Sequence, residues 1–333
     1  METHVWDVRN YVDDLSTYPQ IDEIINALKA NEVVGIPTET VYGLAGNAMS
    51  DEAVDKIFKA KGRPSDNPLI VHIYEQEQIH SFAQIPNQTT DMLMDAFWPG
   101  PISFILPMKK DVLSQLSFGQ MDTVAVRMPS DKVARQLLKL SYLPIAAPSA
   151  NTSGKPSPTH AEHVINDLDG KIFGVVVSDP VEVGIESTVI DCTSYPFKIA
   201  RPGAITQSMI ESIVPGCIVP FNYDLKQPIA PGMKYRHYAP EAQLIKVAPF
   251  ETFQLQADEA MIAPVSEHHK VNGAVFPLGQ TYADITGAMR DLYHSLRSAD
   301  QQEDIKVIYI TDFEETDESM ALLNRMNKAV SGK

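Results

Sequence analysis

Apolar residues along the first two hundred positions alternate between helical spacing and short strand-like runs. Ile21, Ile24 and Leu28 fall on one helical face, and the apolar run at 33–36 that follows has the composition of a buried strand. Further helices are predicted around 50–58, 92–97, 133–138 and 159–165, and further strands at 69–73, 102–106, 123–126, 175–177, 187–191 and 198–200. Short strands that alternate with helices are typical of a layered α/β domain.

Polar residues mark where two of these helices begin. Ser50, followed by the acidic pair Asp51 and Glu52, is typical of a helix N-terminus. Thr159 and Glu162 have the spacing of a capping box. Helices are therefore expected to begin directly after Ser50 and after Thr159.

The region from Pro215 to Pro240 interrupts this alternation. It is rich in proline and has little periodicity, as expected of a linker. Beyond it, strand-like runs at 243–247, 274–278 and 307–310 and helical stretches at 283–296 and 318–330 predict a second, smaller α/β domain. We therefore expect a first domain at 1–214, a linker at 215–241 and a second domain at 242–333.

The charge balance narrows the possible ligands. The 333 residues include 27 lysines and arginines and 43 acidic residues, which gives a net charge of −16. Proteins that bind nucleic acid mainly by neutralising phosphates are usually basic, so such binding by the whole surface is disfavoured. A local basic pocket is compatible with this composition.

Cys192 and Cys217 are the two cysteines of the chain, too few for a disulfide framework or a structural zinc site. They suit a reducing compartment, where both are expected to pack as small apolar residues. No apolar run approaches the roughly 18 residues of a membrane span, and residues 1–10 lack the apolar core of a signal peptide. These features predict a cytoplasmic protein that does not enter a membrane.

Candidate chemistry lies in polar loops at the ends of predicted strands, where open α/β sheets place ligands. P-loop, dinucleotide-binding and nucleophile-elbow motifs do not occur, and no His/Cys cluster has metal-ligand spacing. The polar loops cover 37–44, 61–69, 123–129, 147–158, 184–191 and 200–203, and they carry the cations Lys61, Arg63, Arg127, Lys155 and Arg201. Cations that converge from separate strand ends of an acidic protein suggest an anionic ligand, with a nucleotide as one candidate.

Each loop taken alone also has an ordinary structural explanation. The loop at 37–44 could cap the next helix, and Lys61 could complement the dipole at the end of a helix. Arg127 could pair with a buried carboxylate as readily as with a ligand, and the loop at 147–158 could be a solvated linker instead of a phosphate-binding nest. His72 lies in an apolar strand, where a single histidine is more often a core residue than a ligand.

Taken together, these motifs resemble the threonylcarbamoyl-AMP synthase family of YrdC-like proteins. The resemblance rests on the loop at 37–44, on Lys61-x-Arg63 followed by Asn67-Pro68-Leu69, on Ser149-Ala150-Asn151-x-Ser153-Gly154 and on Ser187-Thr188. The segment from Ala230 to Pro240 resembles the linker to the extra C-terminal domain of the family's long, two-domain form. The resemblance covers essentially the whole chain, and it is specific because the motifs occur together and in order.

The resemblance implies an α/β fold with a twisted, mixed, open sheet around a deep cationic cleft, and a smaller Rossmann-like C-terminal domain. It implies an enzyme that joins L-threonine, bicarbonate (or CO2) and ATP into threonylcarbamoyl-AMP and releases pyrophosphate. Other proteins would then transfer the threonylcarbamoyl group to an adenosine beside the anticodon of certain tRNAs. Mg2+ is expected to arrive with ATP, with no permanently bound metal, and any contact of this chain with tRNA is expected to be weak or transient.

Matched position by position, the resemblance implies two groups of binding residues. The residues matched to threonine or its carbamate are Thr40, His72, Arg127 and Ser187, with Arg127 suited to the α-carboxylate. Those matched to ATP are Arg63, Asn67, Thr123, Ser149, Ser157 and Arg201, joined by Tyr235 and Tyr238 of the linker. Lys61 and Arg63 are the expected catalytic residues, because they would neutralise phosphate charge while the carbamate attacks the α-phosphorus of ATP.

Two positions depart from the family pattern. Ala147 stands where relatives often carry a hydroxyl residue that touches threonine, and Ala230 stands where serine is common. One contact to threonine is therefore expected to be absent or to be supplied by another residue.

The linker carries an unusual density of rings and cations at 234–238. Spacers are typically small, polar or proline-repetitive, so this composition predicts a lid that closes over bound ATP. A solvated basic tether is the alternative.

Three other functions compete with this one, and the sequence argues against each of them. A related domain occurs in a carbamoyltransferase of hydrogenase maturation, but its relatives carry paired Cys-x-x-Cys zinc motifs, which two isolated cysteines exclude. A non-enzymatic module that binds double-stranded RNA is disfavoured by the net charge of −16. A pair of domains without any ligand would leave the converging cations unexplained.

Overall fold

The computed structural model describes residues 2–64, 67–219 and 238–331. Its strands are β1 (His4–Asp7), β2 (Val34–Ile36), β3 (Gly43–Asn47), β4 (Ile70–His72), β5 (Ile102–Pro107), β6 (Thr123–Arg127), β7 (Ile145–Ala146), β8 (Gly174–Val177), β9 (Thr188–Asp191), β10 (Lys198–Arg201), β11 (Gln243–Val247), β12 (Phe253–Gln254), β13 (Glu259–Ala263), β14 (Val271–Asn272), β15 (Ala274–Pro277) and β16 (Val307–Thr311). Its α-helices are α1 (Ile21–Lys29), α2 (Asp51–Lys61), α3 (Ile79–Phe82), α4 (Gln88–Phe97), α5 (Gln115–Phe118), α6 (Lys132–Ser141), α7 (Ala161–Leu168), α8 (Gln207–Ile213), α9 (Ile285–Asp300) and α10 (Met320–Val330). Short 3-10 helices occur at Arg9–Tyr11, Leu15–Thr17, Gln76–Gln78 and Val265–Lys270.

The first part of the chain, residues 2–219, forms one mixed sheet in the order β1-β8-β2-β3-β7-β4-β6-β5-β9-β10. β4 runs parallel to β6, whereas β5 runs antiparallel to β6. Apolar side chains of α2 and α4 cluster with Phe104 of the sheet, and those of α1 and α6 cluster with Trp6. The prediction of a mixed sheet between helices is therefore confirmed.

The C-terminal part of the chain, residues 238–331, is a second α/β unit. Its main sheet has four parallel strands in the order β11-β16-β13-β15, and side chains of α9 and α10 bury it in an apolar cluster. A second, smaller α/β unit was predicted and is confirmed. Its description as Rossmann-like and the domain boundaries at 214 and 242 stay predictions.

The two parts pack directly against each other. Val41 and Ile185 of the first part belong to the same apolar cluster as Leu292 of α9. Helix α9 also passes close over Gly184, where a Cβ atom would lie 2.3 Å from the Cα atom of Arg290. Gly184 has a φ of +82°, so both its backbone conformation and this close approach favour glycine. The contact fixes α9 beside the loop that leads into β9.

The predicted helix starts had different outcomes. Ser50 caps α2 through its side chain, which accepts a hydrogen bond from the Ala53 N–H at 3.3 Å, as predicted. The capping box of Thr159 and Glu162 is wrong, because the N-cap of α7 is His160, whose side chain makes no capping hydrogen bond within the described residues. The strand β3 was also missed, since only its pairing with β2 and β7 distinguishes Gly43–Asn47 from a loop.

Both cysteines, Cys192 and Cys217, are free and buried in the apolar cluster around Phe104, as predicted. Within the described ranges, no helix combines the length and the apolar composition needed to cross a membrane.

Candidate active site

A cleft opens at the strand ends of the large sheet, with about 660 Å³ of space when the part open to solvent is included. The predicted site residues in its wall are Thr40, Arg63, His72, Arg127, Ser149, Ser157, Ser187, Arg201 and Tyr238. Lys155 lies in the same wall. The fold therefore brings residues from widely separated loops to one place, including most of the cations that the sequence analysis singled out. This central cleft is the candidate active site.

Arg127 is held at the end of β6 by contacts with the loop after β2. Its Nη1 atom donates to Thr40 Oγ1 at 2.8 Å, and its Nη2 atom lies 2.7 Å from Glu39 Oε1. The Arg127 and Glu39 side chains are only 5% and 4% exposed, so water hardly screens this ion pair. Arg127 Nε is buried and has no hydrogen-bond partner among the described residues. Arg127 therefore has a structural partner in Glu39 and also lines the cleft.

His72 lies beside Arg127 because the two residues are paired across the parallel strands β4 and β6. Its Nδ1 atom lies 3.2 Å from the Ile70 carbonyl oxygen. Burial, reinforced by the charge of Arg127, lowers the pKa of His72 to about 3. The ring is therefore neutral at pH 7, which suits a contact with a hydroxyl or a methyl group better than one with an anion.

Ser187 joins the threonine-matched residues to the ATP-matched ones. Its Oγ atom lies 2.8 Å from Ser103 Oγ, and Ser103 is paired with Arg127 across β5 and β6. On the other side, Arg201 donates from Nη2 to Ser187 Oγ at 3.2 Å and from Nε to the Ser187 carbonyl oxygen at 3.1 Å. Ser187 thus bonds Arg201 and also Ser103, the residue opposite Arg127 in the sheet.

Arg63 follows α2 and is fixed by the loop that it belongs to. Its Nε atom donates to the Asn67 carbonyl oxygen at 3.4 Å and its Nη2 atom to that of Pro68 at 3.0 Å. Asn67 is buried and does not line the central cleft, so the contact it makes here is through its main chain. Thr123 lies at the beginning of β6, away from the cleft wall. Direct contacts of Asn67 and Thr123 with ATP stay predictions.

Lys61 is not among the residues that line the cleft, and its catalytic role stays a prediction. It is 1% exposed, and its Nζ atom donates to the carbonyl oxygens of Ser149 and Asn151, to the latter at 2.6 Å. Burial, together with the nearby charge of Arg63, lowers the pKa of Lys61 well below its usual range. In this structure Lys61 anchors the loop at 149–151, because the end of α2 aims the side chain at these carbonyl groups.

Glu186 lines the central cleft but was not among the predicted site residues. Its carboxylate accepts hydrogen bonds from Ser157 Oγ at 2.5 Å, Tyr293 Oη at 3.0 Å and Arg325 Nε at 2.8 Å. Burial by itself would raise the pKa of Glu186, but the charges of Arg325 and Arg201 outweigh burial and lower the pKa to about 2. The cleft wall therefore contains an ionised carboxylate.

Arg325 was missed as well, although its position in the sequence carried a signal. It is fully buried on the same face of α10 as Leu322, Met326 and Ala329. An arginine at that place in an apolar helical pattern needs an anionic partner. The sequence could have indicated a buried ion pair here, but it could not have named Glu186.

Tyr238 is the residue of the predicted lid that the structure describes. It is 4% exposed, lines the central cleft and stacks on Tyr293, with 5.4 Å between the ring centroids. Tyr235 and the rest of the lid lie outside the described residues, as does most of the predicted linker at 215–241, including Ala230. Closure of a lid over ATP stays a prediction.

Ala147 lies in the wall of the central cleft. Its Cβ atom is 3.2 Å from the place that a Cβ atom on Gly43 would occupy. The departure from the family pattern is thus located where a ligand would be touched, beside a tightly packed glycine.

Three histidines between the two parts of the chain form an arrangement that could hold a metal ion: His160 and His163 at α7, and His294 on α9. The Thr159 N–H donates to His163 Nδ1 at 3.2 Å, which places the proton of this ring on Nε2. His163 Nε2 lies 3.3 Å from His294 Nδ1 and can donate to it. These nitrogens therefore form a neutral hydrogen-bonded chain between the two parts, in which His163 has no lone pair left for a metal.

Two family models match the chain and together cover most of it. The model described as "Telomere recombination" matches residues 26–203, and the model described as "Threonylcarbamoyl-AMP synthase, C-terminal domain" matches residues 205–331. The threonylcarbamoyl-AMP synthase of Bacillus subtilis is 42% identical over 350 residues, covering 100% of this chain and 99% of that protein. The threonylcarbamoyl-AMP synthase of Pyrococcus abyssi is 42% identical over 316 residues, covering 91% of each chain.

Solved structures agree with these matches. Pyrococcus abyssi Sua5 complexed with L-threonine superposes with a TM-score of 0.86 at 36% identity, covering 99% of this chain and 98% of that one. E. coli YciO, at 20% identity and a TM-score of 0.53 over 60% of this chain, shares the fold. Because both family models match in order and the relatives align over almost the whole chain, the chain belongs to the threonylcarbamoyl-AMP synthase family, in its long, two-domain form.

Proposed function

We propose that this protein joins L-threonine, bicarbonate (or CO2) and ATP into L-threonylcarbamoyl-AMP and releases pyrophosphate. The observation that carries the proposal is the pair of buried arginines, Arg127 and Arg201, in the wall of one cleft, where Ser187 bonds both Arg201 and Ser103, the strand neighbour of Arg127. Two separate cations suit a reaction between two anionic substrates, an amino acid with its carboxylate and a nucleotide with its phosphates.

Threonine would bind on the Arg127 side of the cleft. The guanidinium of Arg127 in the cleft wall suits the α-carboxylate, and the hydroxyl groups of Thr40 and Ser187 can bond polar groups of the amino acid. The neutral ring of His72 can contact the side chain of threonine without competing for its carboxylate. On this proposal the amino group of threonine would point toward the ATP side, where the carbamate has to react.

ATP would bind on the Arg201 side, where Arg63, Ser149 and Ser157 complete the wall. The free amine of threonine attacks CO2 and loses a proton to solvent to form a carbamate, and a carbamate oxygen then attacks the α-phosphorus of ATP. A new phosphorus–oxygen bond forms as the bond to the leaving pyrophosphate breaks, without a covalent enzyme intermediate. The protein contributes positioning and neutralisation of phosphate charge by Arg63 and Arg201. Lys61 contributes indirectly, because it anchors the loop that carries Ser149.

Mg2+ would enter this site on the phosphates of ATP. Mg2+ prefers carboxylate and water oxygens, and the acidic residue in the described wall of the cleft is Glu186. The carboxylate oxygens of Glu186 already accept hydrogen bonds from Ser157, Tyr293 and Arg325. The residues present therefore do not fit a protein-held ion, so we include Mg2+ as part of the nucleotide substrate and assign no permanently bound metal.

The product would pass to other proteins that transfer its threonylcarbamoyl group to tRNA. On this proposal the protein acts in the cytoplasm and binds tRNA at most weakly or transiently. A reactive mixed anhydride is the kind of intermediate that a separate transferase consumes soon after it forms.

The proposal is tested by pyrophosphate release from ATP with L-threonine and bicarbonate, each omitted in turn, together with mass spectrometry of the products. Release that needs all three substrates, with threonylcarbamoyl-AMP in equal amount, is the expected result. Release without threonine would indicate an ATP pyrophosphatase instead, and no release under any condition would contradict the proposal.

A further inference from the structure

Glu186 is an acidic side chain in the wall of the cleft that, on the proposed function, holds the phosphates of ATP. It is 8% exposed, and it bonds Ser157, one of the predicted ATP residues. A buried carboxylate repels phosphates unless a cation compensates its charge. The source of that compensation therefore bears directly on nucleotide binding.

The compensating cation comes from the C-terminal part of the chain. Arg325 on α10 donates from Nε to Glu186 Oε2 at 2.8 Å and from Nη2 to the Glu186 carbonyl oxygen at 3.3 Å. Tyr293 on α9 adds its hydroxyl group to the same carboxylate at 3.0 Å. Arg325 is 0% exposed, so this pair is shielded from solvent and its attraction is strong.

The same two side chains support the aromatic side of the cleft. Tyr238 stacks on Tyr293, and the Cζ atom of Arg325 lies 5.7 Å from the centre of the Tyr238 ring. Side chains of α9 and α10 thus contact both the ionised Glu186 and the aromatic Tyr238 of the cleft wall.

Loss of Arg325 would change the environment of the predicted phosphate ligands. Arg201 and Lys328 also interact with the charge of Glu186. Without Arg325, the charge of the Glu186 carboxylate would be compensated by Arg201 and Lys328. Arg201 would then be drawn toward Glu186, and the negative potential at the phosphate side of the cleft would increase.

We propose that Arg325 is a positioning residue for ATP, which neutralises Glu186 from the C-terminal part of the chain and thereby keeps Ser157 and Arg201 placed for the nucleotide. The inference rests on the proposed function and goes beyond it, because it gives the C-terminal part a task in nucleotide binding. Arg325 acts through Glu186 and does not itself touch the substrate.

The test measures steady-state pyrophosphate release by the full-length chain, at varied ATP and separately at varied threonine. Arg325→Met is expected to raise the KM for ATP about tenfold or more, and the KM for threonine by less than about threefold, because the carboxylate lies on the phosphate side. In the Glu186→Gln background, the same substitution is expected to change the KM for ATP by less than about threefold, since no carboxylate then needs neutralising.

Two further variants control this comparison. Lys306→Met removes an exposed cation of the same part of the chain, with a side chain 79% exposed, and should leave both KM values unchanged. The melting temperature of each variant is measured as well. If Arg325→Met is unfolded at the assay temperature, the variant Tyr293→Phe is tested instead. Tyr293→Phe removes a hydrogen bond to Glu186 without leaving a charge unpaired. Its KM for ATP should rise about threefold or more.

Two results would overturn the inference. One is an Arg325→Met variant that is folded and has the wild-type KM for ATP. The other is an equal rise of the KM for ATP in the presence and absence of the Glu186 carboxylate. Calorimetric measurement of ATP binding separates a failure of this inference from a failure of the proposed function. If the wild-type chain binds ATP but forms no threonylcarbamoyl-AMP, only the proposed reaction is contradicted. The inference then still requires that Arg325→Met weakens ATP binding.

Discussion

Replacing Arg127 with methionine tests both tasks of this side chain. The change leaves the Glu39 carboxylate, 4% exposed, without the guanidinium that lies 2.7 Å away. Removing one member of a buried ion pair costs about 3–5 kcal/mol of folding free energy, because the remaining charge is desolvated without compensation. At roughly 2–4 °C per kcal/mol for a domain of about 200 residues, the melting temperature should fall by about 6–20 °C.

The double variant Arg127→Met/Glu39→Gln separates stability from substrate binding. It leaves no uncompensated charge, so most of the lost melting temperature should return. Threonine binding should not return, because its carboxylate has lost the buried cation. A loss of about 3 kcal/mol for such a contact corresponds to a rise of about a hundredfold in the KM for threonine.

Scanning fluorimetry gives the melting temperatures, and pyrophosphate release at varied threonine gives the KM values. The KM for ATP serves as an internal control and should change by less than about threefold in the double variant, because the phosphates bind on the Arg201 side. A double variant with the wild-type KM for threonine would show that Arg127 only balances Glu39. A single variant that melts like the wild type would refute the argument from the buried ion pair.

Three further predictions follow from the cleft and from the contact between the two parts. Arg63→Ala should lower the rate of pyrophosphate release about a hundredfold or more, because one preorganised charge contact worth ~3 kcal/mol is lost. The control Lys59→Ala should leave the rate unchanged, because the Lys59 side chain is 76% exposed. Near wild-type turnover of Arg63→Ala would remove Arg63 from the site. L-Threonine should be used about tenfold or more better than L-serine, since a missing methyl group is worth ~1–3 kcal/mol, and equal kcat/KM values would first implicate Ala147. Burial and Arg297 lower the pKa of His163 to about 2, so between roughly pH 6.5 and that value the unfolded chain binds a proton that the folded chain does not. The free energy of unfolding should therefore fall by about 1.4 kcal/mol per pH unit on acidification through this one group, and urea titrations at pH 5, 6 and 7 should show a shallower pH dependence for His163→Asn than for the wild type. As a control, substitution of the exposed His80 should leave the pH dependence of the unfolding free energy as in the wild type. If His163→Asn also keeps the wild-type pH dependence, His163 is not the group responsible for it.

Local spacing in the sequence was sufficient for many of the elements and for the position of the candidate site. The strand Gln243–Val247 was predicted with the bounds that the structure has, because alternation within one segment already reports a half-buried strand. The loops at strand ends also indicated where Arg127 and Arg201 would meet, since strand ends on one side of a sheet gather at one edge. Arg63 follows α2 and joins the same cleft wall through its own loop. Motifs of this kind depend on residues that are close in the chain, and they are therefore visible in the sequence itself.

The partners of the charged side chains depended on the tertiary structure. Lys61 belongs to a cationic motif, yet it bonds the carbonyl groups of a loop about ninety positions away, because the packing of α2 aims it there. Glu186 and Arg325 are 139 positions apart, and no spacing rule relates them. A buried charge has to find its counter-charge among whatever side chains the fold brings within a few ångströms. Composition and local pattern therefore indicate that a partner must exist, whereas the packing of two separate parts of the chain decides which residue it is.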